Sequence, residues 1–226
     1  MSGPILGFDC ATPATAVALL PGGNHEPLRA RHEPAPGERP GHGSRLLTLC
    51  AEVLGRAGLG FTDLERIAVG TGPGTFTGLR IAVATARALA HASCTPLAGV
   101  PTLDALAEPA RERAVLAILD ARRGEAFAAG YLEGVRTMPA SALTPDALVR
   151  LAAREPWLAV GDGALRFRTQ LEQAGATVPP DDAADHHLDA AAVCRLGRTI
   201  PAGPPEAVLP DYLRLPDAEL TRRARA

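Results

Sequence analysis

The sequence predicts an α/β protein of two lobes, and three observations predict it. A short apolar strand ending in an acid, followed by a turn and a returning strand, occurs near the start and again in the second half. Short strands alternate with amphipathic helices along the chain, the pattern of an α/β architecture. Hydrophobic residues make up 46% of the chain but aromatics only 4%. Small aliphatics, above all alanine, therefore fill the interior, which favours closely approaching helices. A chain of 226 residues fits one large domain or two small lobes sharing a cleft.

The elements follow in order. Residues 4–8 read as a strand ending at Asp9, and after Cys10-Ala11-Thr12-Pro13 residues 14–20 return as its hairpin partner. Proline, glycine, histidine and charge dominate 21–43, around one further strand at Leu28-Arg29-Ala30. Residues 44–57 read as a helix with Ser44 as cap and Gly58 as stop. Its apolar arc, a stripe of Leu46, Cys50, Val53 and Ala57 widened by Leu47, Leu49 and Leu54, is broader than a helix lying on one sheet needs. Either the helix is buried on two sides within the chain, or part of it meets another chain. The strand Ile67-Ala68-Val69 then feeds the turn Gly72-Pro73-Gly74-Thr75-Phe76-Thr77-Gly78, where Thr77 reads as the cap of an alanine-rich helix. That helix places Arg80, Ala84, Arg87 and His91 along one side.

Residues 96–101 form a natural seam, dividing the chain into lobes 1–99 and 100–226. Beyond it, 114–119 is apolar and ends at Asp120, Ala121-Arg122-Arg123-Gly124 turns, and 125–132 returns. Asp9 and Asp120 occupy matching places. Strand, acid, turn and strand used twice predicts duplicated ββ-hairpin α/β lobes, as in the actin, Hsp70 and sugar-kinase ATPase (ASKHA) fold. Helices are expected at 144–154, 164–174 and 189–196, with a strand at 158–160. The tail from Pro201, ending Arg222-Arg223-Ala224-Arg225, reads as a solvated, partly disordered end.

Composition excludes several functions. All 23 basic residues are arginine, so there is no Schiff-base lysine, phosphate-loop lysine or kinase-type lysine. A net charge of −2 gives no global basic field for nucleic acid. Cys10, Cys50, Cys94 and Cys194 form no C-x-x-C pair, and Cys10 and Cys50 read as buried thiols in a reducing compartment. With no membrane-length apolar run, a cytoplasmic location without membrane association is the expectation.

Strand, glycine turn and helix N-terminus is an arrangement that binds anions. It also lets backbone pack on backbone, and both readings fit this turn. Neither standard phosphate-loop template can be placed between Gly70 and Gly78. Asp9 and Asp120 are candidates for vestigial nucleotide-site acids, with structural hairpin acids as the plainer reading. The six histidines form no metal-binding spacing. His42 beside Ser44 reads as a loop histidine, and Glu125 and Asp162 as surface or turn acids. No complete catalytic set emerges, for a peptidase or otherwise.

Gly72-Pro73-Gly74-Thr75-Phe76-Thr77-Gly78-Leu79-Arg80-Ile81-Ala82-Val83-Ala84-Thr85-Ala86 closely resembles the signature of the bacterial TsaB (YeaZ) family. So do Ile5-Leu6-Gly7-Phe8-Asp9, His42-Gly43-Ser44-Arg45-Leu46-Leu47, Val100-Pro101-Thr102-Leu103-Asp104-Ala105-Leu106, Ile118-Leu119-Asp120-Ala121-Arg122-Arg123-Gly124-Glu125 and Tyr212-Leu213-Arg214. The resemblance implies the two-lobed ATPase-like fold and a role in making threonylcarbamoyladenosine beside the anticodon of tRNAs that read codons beginning with A. It implies a non-catalytic partner of the transferase TsaD, together with the ATPase TsaE, touching tRNA through the complex.

In that transferase an H-L-E-G-H motif holds part of a metal site. The matching stretch here is Thr102-Leu103-Asp104-Ala105-Leu106. Thr102 and Leu106 supply no imidazole nitrogen, so no metal is expected. No cofactor is expected to bind this chain tightly, and ATP only weakly or at the partner interface. In the family the first two helices of the N-terminal lobe meet the partner, which assigns Leu46, Leu49, Cys50, Val53, Arg80, Ala84, Arg87 and His91 to that interface. Alone, the chain is expected to pair with itself through the same surface. The competing function is an enzyme in its own right, an ATP-dependent carbamoyl transferase or a sugar-kinase-like phosphotransferase.

Overall fold

A computed structural model describes residues 3–23, 25–35 and 37–214. The first sheet is built from β1 (Ile5–Asp9), β2 (Thr15–Leu20), β3 (Leu28–His32), β4 (Arg66–Gly72) and β5 (Leu97–Pro101). Their order is β3-β2-β1-β4-β5, with the β1–β2 and β2–β3 pairs antiparallel and the β1–β4 and β4–β5 pairs parallel. The second sheet repeats the start of this plan. It orders β6 (Val115–Arg122), β7 (Glu125–Leu132), β8 (Val135–Leu143) and β9 (Leu158–Val160) as β8-β7-β6-β9. There too an antiparallel hairpin flanks a parallel pair, β6 with β9. This is the duplicated ββ-hairpin lobe of the actin-like fold that the two strand–acid–turn repeats predict. In both sheets the strand that carries the acid is an interior one, and every residue of β1 is buried, as expected where both faces are covered.

Helices α1 (His42–Ala57) and α2 (Phe76–Ser93) lie on the first sheet. α3 (Thr102–Ala107) follows β5 directly, so the predicted seam at 99/100 falls inside that strand. α4 (Pro145–Ala152), α5 (Asp162–Arg166) and α6 (Arg168–Gln173) accompany the second sheet. The last helix, α7 (Ala190–Thr199), comes from the second half of the chain but packs on β1, β2 and β4 of the first sheet. Gly7 makes that seat possible, because a Cβ there would lie 2.5 Å from Cys194 Sγ. Arg66 fastens the far end of α7, its Nη1 donating to the carbonyls of Gly197, Arg198 and Ile200 at 2.7, 3.2 and 2.8 Å.

Several expectations need correction. The helix expected over 164–174 is two short helices meeting at Phe167. Strand β8 and helix α3 were not anticipated. Thr77 is not the cap of α2. The helix begins at Phe76, with Thr75 extended ahead of it. The described part of the tail is exposed or half-buried, as expected of a solvated end, but it is held: 203–214 runs back over the first lobe in a series of bonded contacts. Arg222, Arg223 and Arg225 lie outside the described residues.

Candidate functional site

The carboxyl ends of β1 and β4 meet the glycine turn, and the space between them is closed by the chain's own backbone. Thr75 N–H donates to Ala11 O at 2.8 Å. A Cβ at Gly74 would lie 2.4 Å from Ala11 Cβ, and one at Gly78 only 1.9 Å from Cys10 O. The glycines are therefore needed so that the turn and the start of α2 can seat directly on residues 10–11. Of the two readings open to the turn, the structure supplies the packing one. Thr71 adds to it, its hydroxyl donating to Val100 O at 3.2 Å.

Asp9 is 2% exposed. Its Oδ1 accepts from Ala11 N–H at 2.6 Å and its Oδ2 from the Thr102 hydroxyl at 2.7 Å. The same Thr102 oxygen accepts from Gly72 N–H at 3.1 Å. One hydroxyl thus bridges the acid of β1 to the first residue of the glycine turn. Burial raises the Asp9 carboxyl above its ordinary 3.8, opposed by its bonds to Ala11 and Thr102 and by the charge of Arg31. Leu106 is buried in the apolar core shared by the two sheets. The two positions that match the transferase's histidines therefore offer a hydroxyl already bonded on both sides and a core methyl group. They do not fit a metal ion.

Asp120, at the matching place in the second lobe, is engaged differently. Its Oδ1 accepts from Arg122 N–H at 2.9 Å, and its Oδ2 pairs with Arg166 at 3.0 Å and Arg122 at 3.5 Å. Arg122 and Arg123 both have left-handed backbone, φ 63° and 53°, at the hairpin tip. Asp162 accepts from Asp120 N–H at 3.0 Å, and burial raises its carboxyl. Among the described residues no group of three or more histidines, cysteines or acids is placed to hold a metal ion.

His42 is no loop histidine. It opens α1 and is 3% exposed, with Nδ1 2.8 Å from the Thr15 hydroxyl. Ser44 Oγ turns instead to Gly41 O at 3.1 Å, so no serine–histidine pair forms. Burial, with His32 nearby, holds the His42 imidazole below its ordinary value.

The model for the family described as TsaD, tRNA N6-adenosine threonylcarbamoyltransferase, matches residues 38–160. The tRNA threonylcarbamoyladenosine biosynthesis protein TsaB of Bacillus subtilis (strain 168) is 30% identical over 188 residues, 79% of this chain and 82% of that protein. The chain belongs to the TsaB family. TsaB of Escherichia coli (strain K12) is 39% identical over 131 residues, a match covering 56% of this chain and 54% of the relative's length. YeaZ from Pseudomonas aeruginosa superposes with a TM-score of 0.73 at 26% identity, over 94% of this chain and all of that one. A second structure, described as an uncharacterized protein with similarity to peptidase YeaZ from the same organism, gives 0.75 at 28%, over 95% of this chain and all of that one.

Within this TsaB-family chain, the residues assigned to a partner interface separate into two groups. Leu46, Leu49, Cys50 and Val53 are buried in the first lobe's own core with Phe8, Val17 and Ile67. Burial pushes the Cys50 thiol up to about 12. The apolar arc of α1 that they build faces the sheet, with α2 at its side. The exposed side of α1 instead carries Gly43, Leu47, Ala51 and Gly55, and Leu47 is 53% exposed. The signal that finds this row in the sequence is small residues at four-residue spacing around one leucine. On α2, Ala84 and Ala88 are exposed. Arg80, Arg87 and His91 are engaged by the chain's own C-terminal segment.

Proposed function

We propose that this chain is a non-catalytic subunit of the machinery that builds threonylcarbamoyladenosine next to the anticodon in tRNAs reading codons beginning with A. In this reading it works in the cytoplasm, as dimerisation partner of a TsaD-type transferase with a TsaE-type ATPase. Membership of a family named for that pathway supports the pathway. The observation that supports a non-catalytic role is the Asp9–Thr102–Gly72 bridge, which commits the acid of the first lobe to its own fold. The docking face in this reading is the exposed row Gly43, Leu47, Ala51 and Gly55 of α1 with Ala84 and Ala88 of α2. Small residues there let a partner's helices approach closely. Two copies pair through the same face when the partner is absent, ATP binds only weakly or at the partner interface, and tRNA is reached through the complex.

Reconstitution tests the reading. Transferase, ATPase, threonylcarbamoyl-adenylate and tRNA are mixed with and without this chain, and modified adenosine is measured. Modification should stop when the chain is omitted and return when it is added. Leu47→Arg or Ala84→Arg chains should neither restore it nor co-purify with the transferase. Full modification without the chain would sink the proposal, as would turnover of ATP by the isolated chain.

A further inference from the structure

The described C-terminal segment touches both lobes of the molecule. Gly203 N–H donates to Leu97 O at 3.2 Å, on the edge strand of the first sheet. The chain then crosses α2. Glu206 meets the His91 imidazole at 2.6 Å, and the Arg87 guanidinium donates to the carbonyls of Glu206 and Val208, each at 2.9 Å. Asp211 N–H donates to Thr71 O at 2.7 Å, beside the glycine turn. The Tyr212 ring lies 5.0 Å from that of Phe76, and its hydroxyl accepts from Arg80 Nε at 3.3 Å. Leu213 packs on the core shared by both sheets. Arg214 then reaches the second lobe, donating to Ala121 O at 3.1 Å and pairing with Glu125 at 3.2 Å on the β6–β7 hairpin.

We propose that residues 205–214 form a latch coupling the α2 face to the β6–β7 hairpin, so that releasing either end loosens the other. The segment has no ladder of its own beyond one short turn at Pro205–Ala207. It is held by α2 side chains reaching its main chain and Glu206, by the main-chain bond from Asp211 to Thr71, and by its own side chains Tyr212, Leu213 and Arg214. Anchors joined by so short a tether raise one another's effective concentration, and loss of one lowers the occupancy of the next. The latch also has a consequence for assembly, which rests on the docking proposed above. A protein docked on Ala84 and Ala88 lies beside the Arg80–Arg87–His91 row, and one that also takes up that row displaces residues 206–212 and so weakens Arg214 on the hairpin. Binding at the first lobe is thereby felt at the turn that carries Arg122 and pairs with Asp120.

Hydrogen–deuterium exchange of the isolated full chain tests the latch without any partner, so its outcome is independent of the tRNA reading. Arg87→Ala should speed exchange about tenfold across 203–212 and also at the hairpin amides of 119–126, although none of the hairpin's bonds involves Arg87. Arg214→Ala should speed the hairpin and, in return, 206–212. Arg87→Lys keeps the charge but not the two-carbonyl fork and should move both regions in the same direction by less. The proposal is overturned if each substitution acts only on its own contacts, with the hairpin unmoved by either Arg87 variant and 206–212 unmoved by Arg214→Ala.

Discussion

Replacing Thr102 by valine removes one hydroxyl and keeps the shape of the side chain. In this structure that hydroxyl serves two buried groups, donating to Asp9 Oδ2 at 2.7 Å and accepting from Gly72 N–H at 3.1 Å. Without it, a buried carboxylate loses a bond worth roughly 1.5–3 kcal/mol and a buried amide loses its partner at roughly 1–3 kcal/mol. Thr102→Val should therefore cost about 3–5 kcal/mol at pH 7. The loss should depend on pH, and the sign follows from Asp9. Its folded-state value lies above the ordinary 3.8, so its contribution to stability is fully present below that value and is lost as pH rises through the folded one. Valine removes a donor that favours the carboxylate, raises the folded value further, and so loses more at pH 7 than at pH 4.5. Urea midpoints of both proteins at the two pH values measure this, and Thr102→Ser, which keeps the hydroxyl, should stay within about 1.5 kcal/mol of the parent. A valine variant within about 0.5 kcal/mol of the parent, or one whose deficit is the same at both pH values, would refute the bridge.

Other positions give further tests. Gly78→Ala should destabilise by about 3 kcal/mol or more, since its Cβ would lie 1.9 Å from Cys10 O, a backbone atom that cannot step aside. Gly55→Ala, in the exposed interior of α1 with nothing within 4 Å, should stabilise by about 0.5–1 kcal/mol; both are read from thermal or urea denaturation. Because the His42 imidazole is held below its ordinary 6.5, unfolded chain binds the extra proton first. Stability should fall as pH drops below 6.5 towards the folded value, and His42→Gln should flatten that slope in urea midpoints taken between pH 7.5 and 5. Arg66→Met should cost about 2–3 kcal/mol and speed amide exchange near the end of α7, because three carbonyls lose their common donor.

The legible part of this fold is the part set by local pattern. Apolar strands ending at Asp9 and Asp120 predict both hairpins and their duplication, and the spacing of Gly72, Gly74 and Gly78 predicts a tight turn before α2. Strand β8 was illegible because Val135–Leu143 is largely exposed or half-buried and carries Pro139 in its middle. The break at Phe167 leaves little trace in composition, because the residues on either side would suit one helix.

The features that bear on function were illegible for a different reason: they depend on what covers what. A wide apolar arc on α1 is compatible with the chain's own sheet or with another chain, and only coordinates assign Leu46, Cys50 and Val53 to the first. The same limit applies to α2. Arg80, Ala84, Arg87 and His91 along one side of the helix read as part of a partner surface, yet the acceptors for Arg87 are main-chain carbonyls of Glu206 and Val208, and a carbonyl is present whatever the sequence says. Thr102 is the converse case. Its chemistry was readable, since a hydroxyl cannot replace imidazole at a metal, but its purpose was not. Its hydroxyl ties Asp9 to Gly72. The first lobe thus satisfies its buried acid from within and leaves one helical face, Gly43 to Gly55 with Ala84 and Ala88, whose small residues serve no core. That exposed row is the face on which the proposed docking of a partner is to be tested.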